Sequence, residues 1–120
     1  MTQTPDSPEE EAREIGRRQS LLREVNERID ALAQGFGLED ELTILCECAS
    51  DQCSERITMT EAEYKSLRRI PTHFAVLPGH EIPEVERIVE KNGRYVVVEK
   101  FGESAKAVIR LDPRRRAKAT

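Results

Sequence analysis

The sequence has no tryptophan, and its only aromatic residues are two tyrosines and three phenylalanines. Apolar residues make up 38% of the 120 positions, whereas charged residues make up 35%. A chain of this length forms one small domain with room for an appendage. This composition predicts a hydrophobic core with few large apolar side chains. Small, thin cores are commonly supported by a metal ion or by a partner subunit.

Other features are also missing, and each absence excludes a class of protein. No apolar run approaches the roughly 20 residues that cross a membrane, and the first residues lack the basic and apolar regions of a signal peptide. The sequence shows no internal repeat, no glycine-rich phosphate loop and no Ser–His–Asp or paired-carboxylate arrangement. The net charge of −4 does not favour binding to nucleic acid. We therefore expect a cytoplasmic protein without a membrane segment and without catalytic residues.

All three cysteines lie close together, as Cys46, Cys48 and Cys53. The stretch from Leu42 to Cys48 alternates like a strand, which points Cys46 and Cys48 to the same side. The polar turn over residues 49–52 can bring Cys53 back to the same point. Three converging thiolates favour a soft or borderline cation, and zinc is the most common one. An odd number of clustered cysteines also indicates a reducing compartment.

A closed structural zinc site needs a fourth ligand, and the chain has two histidines. His80 follows a Pro-Gly turn, which exposes an imidazole and lets the backbone approach a metal. His73 begins an apolar strand and is the alternative fourth ligand. A water molecule or Asp51 would instead leave an open site, in which Glu47 or Asp51 could act as a base. Inert cysteines and redox thiols without a metal stay open as alternatives; an iron–sulfur cluster lacks its usual fourth cysteine.

A long helix is predicted from Pro8 to about Gln34, because Ser7 can cap it and Glu10 completes a capping box. Such a helix would be roughly 40 Å long, more than a domain of some 80 residues can cover. We expect it to pair with a copy of itself or with another protein, or to fold back on its own domain. Its apolar residues follow the spacing of a coiled-coil-like interaction seam: Ile15, Leu22, Val25, Ile29, Leu32 and Phe36.

The rest of the chain alternates between strand and helix patterns. Thr60 and Glu63 form a second capping box, and Asn92-Gly93 indicates a β-hairpin. The predicted fold class is α+β, with a long helical arm over residues 7–36. A small zinc-held domain of antiparallel sheet and short helices follows over residues 41–113. Residues 1–6 and the basic tail over residues 114–120 are predicted to be disordered.

The order of these motifs resembles that of a group of small bacterial proteins of uncharacterised function. The shared pattern begins with Cys46-Glu47-Cys48 and Cys53 and continues through Glu63-Tyr64. It then includes residues 74–81, with their Pro-Gly-His-Glu turn, and residues 97–100, so that it covers roughly residues 15–113. The resemblance implies no activity. It implies that the histidine of that turn is the fourth ligand, because the turn belongs to the shared pattern.

The sequence therefore predicts a small zinc-binding protein that acts through protein contacts or regulation and is not an enzyme. One structural zinc ion per chain would tie the hairpin tip to the Pro-Gly-His turn. Two alternatives stay open. A DNA-binding transcription regulator would use the cations of Arg68-Arg69 and of residues 114–118. A redox sensor would release its zinc when the thiolates are oxidised.

Overall fold

The computed structural model describes residues 7–37 and 40–115. Those residues form an α+β fold with two antiparallel sheets. Residues 1–6 and 116–120, for which we predicted disorder, lie outside the described residues. The helices and strands, in chain order, are α1 (Pro8–Gly35), β1 (Leu42–Leu45), β2 (Arg56–Met59), α2 (Glu61–Arg68), β3 (His73–Val76), β4 (Glu86–Lys91), β5 (Val96–Lys100) and α3 (Gly102–Arg110).

Both predicted helix starts are confirmed, and both follow from local sequence. Ser7 caps α1 by accepting a hydrogen bond from the Glu10 amide at 3.1 Å. At α2 the capping box is reciprocal. The Glu63 amide donates to the Thr60 hydroxyl at 3.1 Å, and the Thr60 amide donates to the Glu63 carboxylate at 2.8 Å. These bonds satisfy amides that the helix itself leaves without a partner.

The strands form two separate sheets. β1 and β2 pair as a two-stranded antiparallel ribbon, and the second sheet has the antiparallel order β3-β5-β4. The Glu47 amide donates to the Ala75 carbonyl at 2.9 Å, so the chain leaving β1 contacts the edge strand β3 and joins the two sheets. The fully buried apolar side chains of the core include Leu42, Ile44, Ile57, Met59, Tyr64, Phe74, Ala75, Val76, Val98 and Val108.

Helix α1 lies along its own domain. Its 28 residues span ~42 Å at ~1.5 Å per residue, which is close to the longest extent of the described structure, 46 Å. Near its start it packs on α3, where a side chain at Gly16 would meet the Ser104 carbonyl oxygen at 3.0 Å. Further along it contacts β1, because the Asn26 side chain bonds the Leu45 amide and carbonyl at 2.8 and 3.0 Å. The helix therefore folds back on its domain, whereas pairing with a copy of itself or with another protein stays a prediction.

The buried face of α1 is mostly polar. Of the predicted apolar seam, Val25, Leu32 and Phe36 are 44%, 62% and 77% exposed. The seam residues Ile15, Leu22 and Ile29 are partly buried. The heptad spacing does not mark the face that packs on the domain. That face consists of Gly16, Gln19, Ser20, Arg23, Asn26, Asp30 and Ala33.

Charged groups of the domain meet this polar face. Gln19 donates to the Glu47 carbonyl at 3.0 Å and to the Glu86 carboxylate at 3.2 Å. Glu86 also accepts a hydrogen bond from Lys100 at 2.6 Å, and both side chains of this ion pair are fully buried. Burial lowers the pKa of Lys100, an effect that the Glu86 carboxylate opposes. Burying such a pair is tolerable only because its polar atoms find partners.

A second ionic cluster joins α1 to α2 and to the end of the described chain. Glu27 accepts hydrogen bonds from Tyr64 at 2.7 Å and from Arg114 at 2.6 Å. Arg68 donates to Asp112 at 2.7 Å and lies 3.5 Å from Glu27. Arg114, the first residue of the predicted basic tail, is held against the helix by these ion pairs.

A contact between carboxylates connects α1 and α2. Gln34 donates to Asp30 at 3.0 Å and to Glu61 at 2.8 Å. Burial, together with the neighbouring Asp30 carboxylate, raises the pKa of Glu61 to about 7. Between pH 4.5, the usual pKa of a glutamate, and about pH 7, the folded chain therefore holds a proton at Glu61 that the unfolded chain has lost. This contribution lowers the stability as the pH rises through that range.

We expect Glu61→Gln to raise the melting temperature at pH 8 by about 2–6 °C and to change it little at pH 4. The amide keeps an acceptor for Gln34 and can donate to Asp30, so it imitates the protonated carboxyl at every pH. Thermal unfolding at the two pH values measures the effect. The exposed Glu84→Gln is the matched control and should leave both temperatures unchanged. An equal gain for Glu61→Gln at both pH values would contradict the role assigned to its proton.

Candidate metal centre

Two of the cysteines are positioned by the ribbon of β1 and β2. The Cys46 amide donates to the Glu55 carbonyl at 2.9 Å, which continues the pairing one residue beyond β1. Cys48 lies two residues further on the same side. The connection to β2 then turns back, where the Cys53 amide donates to the Ser50 carbonyl at 3.3 Å. The three sulfurs converge in this way at the tip of the ribbon.

The fourth member of the cluster comes from the loop between β3 and β4. The His80 amide donates to the Leu77 carbonyl at 2.9 Å, and Gly79 has a φ of +89°, a left-handed conformation that favours glycine. This turn directs the His80 ring to the sulfurs. His73, the alternative ligand, lies outside the cluster. Its Nε2 atom is 3.1 Å from the Glu99 carboxylate on the neighbouring strand.

The distances within the cluster fit a tetrahedral metal site. The potential ligand atoms of Cys46, Cys48, Cys53 and His80 all lie within 4.8 Å of one another. His80 Nδ1 is 3.7 Å from Cys46 Sγ and 3.6 Å from Cys53 Sγ. Tetrahedral bonds of ~2.3 Å to sulfur and ~2.05 Å to nitrogen would separate the two atoms by about 3.6 Å. The four residues are therefore close enough to hold one metal ion.

The thiols need a cation in order to ionise. Burial raises the pKa of Cys46 to about 12 and also raises the pKa of Cys48. The Leu77 amide donates to Cys46 Sγ at 3.3 Å, which favours the thiolate without offsetting the burial. A metal ion supplies the missing positive charge, since thiolates are the form that binds metals. Binding therefore releases protons, and affinity for the metal falls in acid.

Glu47 lies between two cysteines but faces away from them. Its side chain is fully buried, and Arg23 donates to both carboxylate oxygens at 2.7 and 2.8 Å. Asn26 and the Ala75 amide donate to the same carboxylate at 3.1 and 3.0 Å. All of these donors lie on α1 or β3. The Glu47 carboxylate therefore bonds to groups on the side away from the sulfurs. A base at an open metal site would have to lie on the side of the metal.

A cleft of about 530 Å³ opens beside the cluster. Cys46 and Cys48 are buried, whereas Cys53 and His80 are partly exposed. Cys48, Cys53 and His80 line the cleft. Ser50, along with other polar residues of the cysteine turn, forms part of its wall. Solvent and small molecules can therefore reach the cluster from the side of Cys53 and His80.

Reasoning from sequence did not find the residues that support the cysteine segment from α1. Gln19, Arg23 and Asn26 all bond to Glu47. Their spacing of four and three residues places them on one helical face, a signal that the apolar heptads of the same helix obscured.

Arg68, a cation on which the DNA-binding alternative depends, is buried and paired with Asp112.

Comparison of the chain with protein-family models, with curated proteins and with solved structures found no match. The resemblance to a group of small bacterial proteins therefore stays a prediction. Within residues 7–37 and 40–115, no helix combines the length and the apolar character needed to cross a membrane. Function has to be inferred from the residues of the site.

We expect the purified protein to bind about one zinc ion per chain and His80→Ala to lose it, because three sulfurs alone leave the tetrahedral site incomplete. His73→Ala removes the only other histidine and is the matched control, which should keep its zinc. Elemental analysis after dialysis, combined with native mass spectrometry, measures the stoichiometry. Full zinc content in His80→Ala, or its loss from His73→Ala, would contradict this choice of fourth ligand.

Proposed function

We propose that this protein is a small protein-interaction module whose fold is held by one structural zinc ion. The convergence of Cys46, Cys48, Cys53 and His80 within 4.8 Å is the observation that carries the proposal. Three thiolates and an imidazole form a ligand set typical of structural zinc sites. Four protein ligands complete the tetrahedron and leave no position for a substrate. The zinc is therefore a support for the fold rather than a reactive centre.

Zinc would join the tip of the ribbon of β1 and β2 to the loop between β3 and β4, two parts of the chain that are far apart in sequence. Cys46 and His80 are 34 residues apart in sequence, one beside the first sheet and the other in a loop of the second. Because the unfolded chain has no preformed site, the free energy of metal binding adds to the free energy of folding. The ion also fixes the segment that carries Glu47, to which α1 is bound. Zinc would in this way hold α1 in place.

The surface that α1 then presents is suited to protein contact. Leu21, Val25, Leu32 and Phe36 are all exposed large apolar residues of this helix. An apolar group on one side of a helix is typical of a docking surface. Three of these residues belong to the predicted coiled-coil-like seam. We infer that the helix engages its partner through them, while its polar face stays on the domain.

Removing the metal tests the structural role. We expect excess chelator to lower the melting temperature by at least about 15 °C and to abolish the near-ultraviolet circular dichroism of the tyrosines. Tyr64 and Tyr95 are both buried, and without tryptophan their signal reports tertiary packing alone. Chelator already saturated with zinc is the control and should change nothing. Unchanged melting and tyrosine spectra in metal-free protein would exclude a structural zinc.

A redox sensor is a second candidate, favoured by one observation: Cys53 lines an open cleft. A hydroperoxide entering there could oxidise two thiolates to a disulfide. With two protons taken up from solvent, it would be reduced to an alcohol and water, and the zinc would be released. Zinc release under dilute peroxide, followed with a chromogenic chelator, separates the two candidates. For a purely structural zinc we expect release no faster than the oxidation of a free thiol peptide. Release at least about tenfold faster than this would favour the sensor.

A further inference from the structure

The exposed side of α1 forms a narrow stripe. Leu21, Val25, Leu32 and Phe36 are 64%, 44%, 62% and 77% exposed, and at about 100° per residue they fall within an arc of about 60°. Phe36 belongs to this arc although it caps the helix, because its amide still donates to the Leu32 carbonyl at 3.1 Å. We call these four residues the apolar stripe. It is ~22 Å long and lies about 150° around the helix from the buried polar face.

The spacing of the apolar stripe is symmetric about its own midpoint. Successive members are four, seven and four residues apart, so the midpoint falls between residues 28 and 29. An antiparallel second copy centred there would set Leu21 against Phe36 of the other copy. The two inner residues, Val25 and Leu32, would likewise meet each other. A two-fold interface requires a surface that is complementary to itself in this way.

Charges at the two ends of the apolar stripe favour an antiparallel over a parallel arrangement. Arg17 and Arg18 precede it in the sequence, with side chains 55% and 53% exposed. Both arginines are paired with Glu14, so these three side chains together carry one net positive charge. Asp40 and Glu41 follow it in the sequence, and both are exposed. Antiparallel pairing brings the basic end of one copy toward the acidic end of the other, whereas parallel pairing brings like charges together. The helix dipoles also oppose each other in the antiparallel pair.

Charges near the midpoint do not oppose the pairing. Arg28 lies at the edge of the apolar stripe, and Glu24 precedes it by four residues, the favourable order for an ion pair along a helix. The two-fold axis would bring Glu24 and Arg28 of one copy beside Glu24 and Arg28 of the other. These two negative and two positive charges sum to zero. The aliphatic part of each arginine can also cover neighbouring apolar surface.

The size of the apolar stripe suits a weak, reversible dimer. Its four side chains and the aliphatic stems beside them would bury on the order of 1,000 Å² in the two copies together, near the lower limit for specific interfaces. We therefore expect a dissociation constant in the range of about 1–100 µM.

We propose that the partner of the apolar stripe is a second copy of this chain, bound antiparallel about a two-fold axis that crosses α1 between residues 28 and 29. The proposal rests on the proposed function in taking α1 as the interaction surface. It does not rest on the identity of the metal.

Sedimentation equilibrium of the zinc-loaded full chain tests the surface. We expect a reversible dimer, and a monomer for Val25→Glu/Leu32→Glu with zinc content and circular dichroism unchanged, because both residues are exposed in one copy. Ala31→Glu adds a charge on the same helix outside the apolar stripe and should keep the dimer. A wild-type chain that stays monomeric up to about 1 mM overturns the proposal, as does an undiminished dimer of the double variant. Zinc assayed in the same samples tests the structural metal separately.

A pair of charge variants tests the orientation. Leu21→Lys/Phe36→Glu would set opposite charges against each other in an antiparallel dimer, whereas Leu21→Glu/Phe36→Glu would set like charges together. We expect the first variant to dimerise at least about tenfold more tightly than the second. In a parallel dimer like charges would face each other in both variants. Equal dissociation constants for the two variants therefore overturn the antiparallel arrangement.

Discussion

The contact between Arg23 and Glu47 is the interaction on which the arrangement of this protein depends. Arg23 bonds both oxygens of a fully buried carboxylate, donates to the His73 carbonyl at 2.6 Å, and lies 3.9 Å from the centre of the Phe74 ring. Glu47 sits between two of the clustered cysteines, so one short segment supplies sulfurs to one side and a carboxylate to the other. The helix, the second sheet and the candidate metal centre all meet there. A buried charge without its partner costs several kcal/mol, so neither residue can be lost alone.

Polar docking of α1 explains why the helix keeps an apolar surface. Gln19, Arg23 and Asn26 are each matched by a buried polar group on the domain. Hydrogen bonds between buried polar groups form only in one register and orientation of the helix, whereas apolar contacts allow several. Buried polar groups can therefore specify how a helix packs. The exposed apolar residues on the opposite side of the helix take no part in these contacts. It is therefore free to carry the exposed apolar residues through which we propose that the protein pairs.

A fold with this many buried charges has little excess stability from its core. Buried ion pairs contribute less than apolar packing of the same volume, because each charge loses its hydration. In this chain the charged residues Arg68, Glu86 and Lys100 are all buried. A metal ion bound at the junction of the two sheets would offset that weakness. The proposed zinc and the polar interface are thus two parts of one explanation for a small, highly charged domain.

Local sequence determined the elements of this protein, and tertiary structure determined which surfaces meet. The capping residues Ser7 and Thr60, the Asn-Gly turn and the grouping of the cysteines could be predicted because each depends on residues within a few positions of one another. The buried face of α1 could not be predicted, because apolar periodicity identifies apolar residues but not the surface opposite them. The partner of Arg23 lies 24 residues away and that of Glu27 87 residues away. Only the folded chain brings such charges together, since the free energy of burying a charge depends on the partner that it finds.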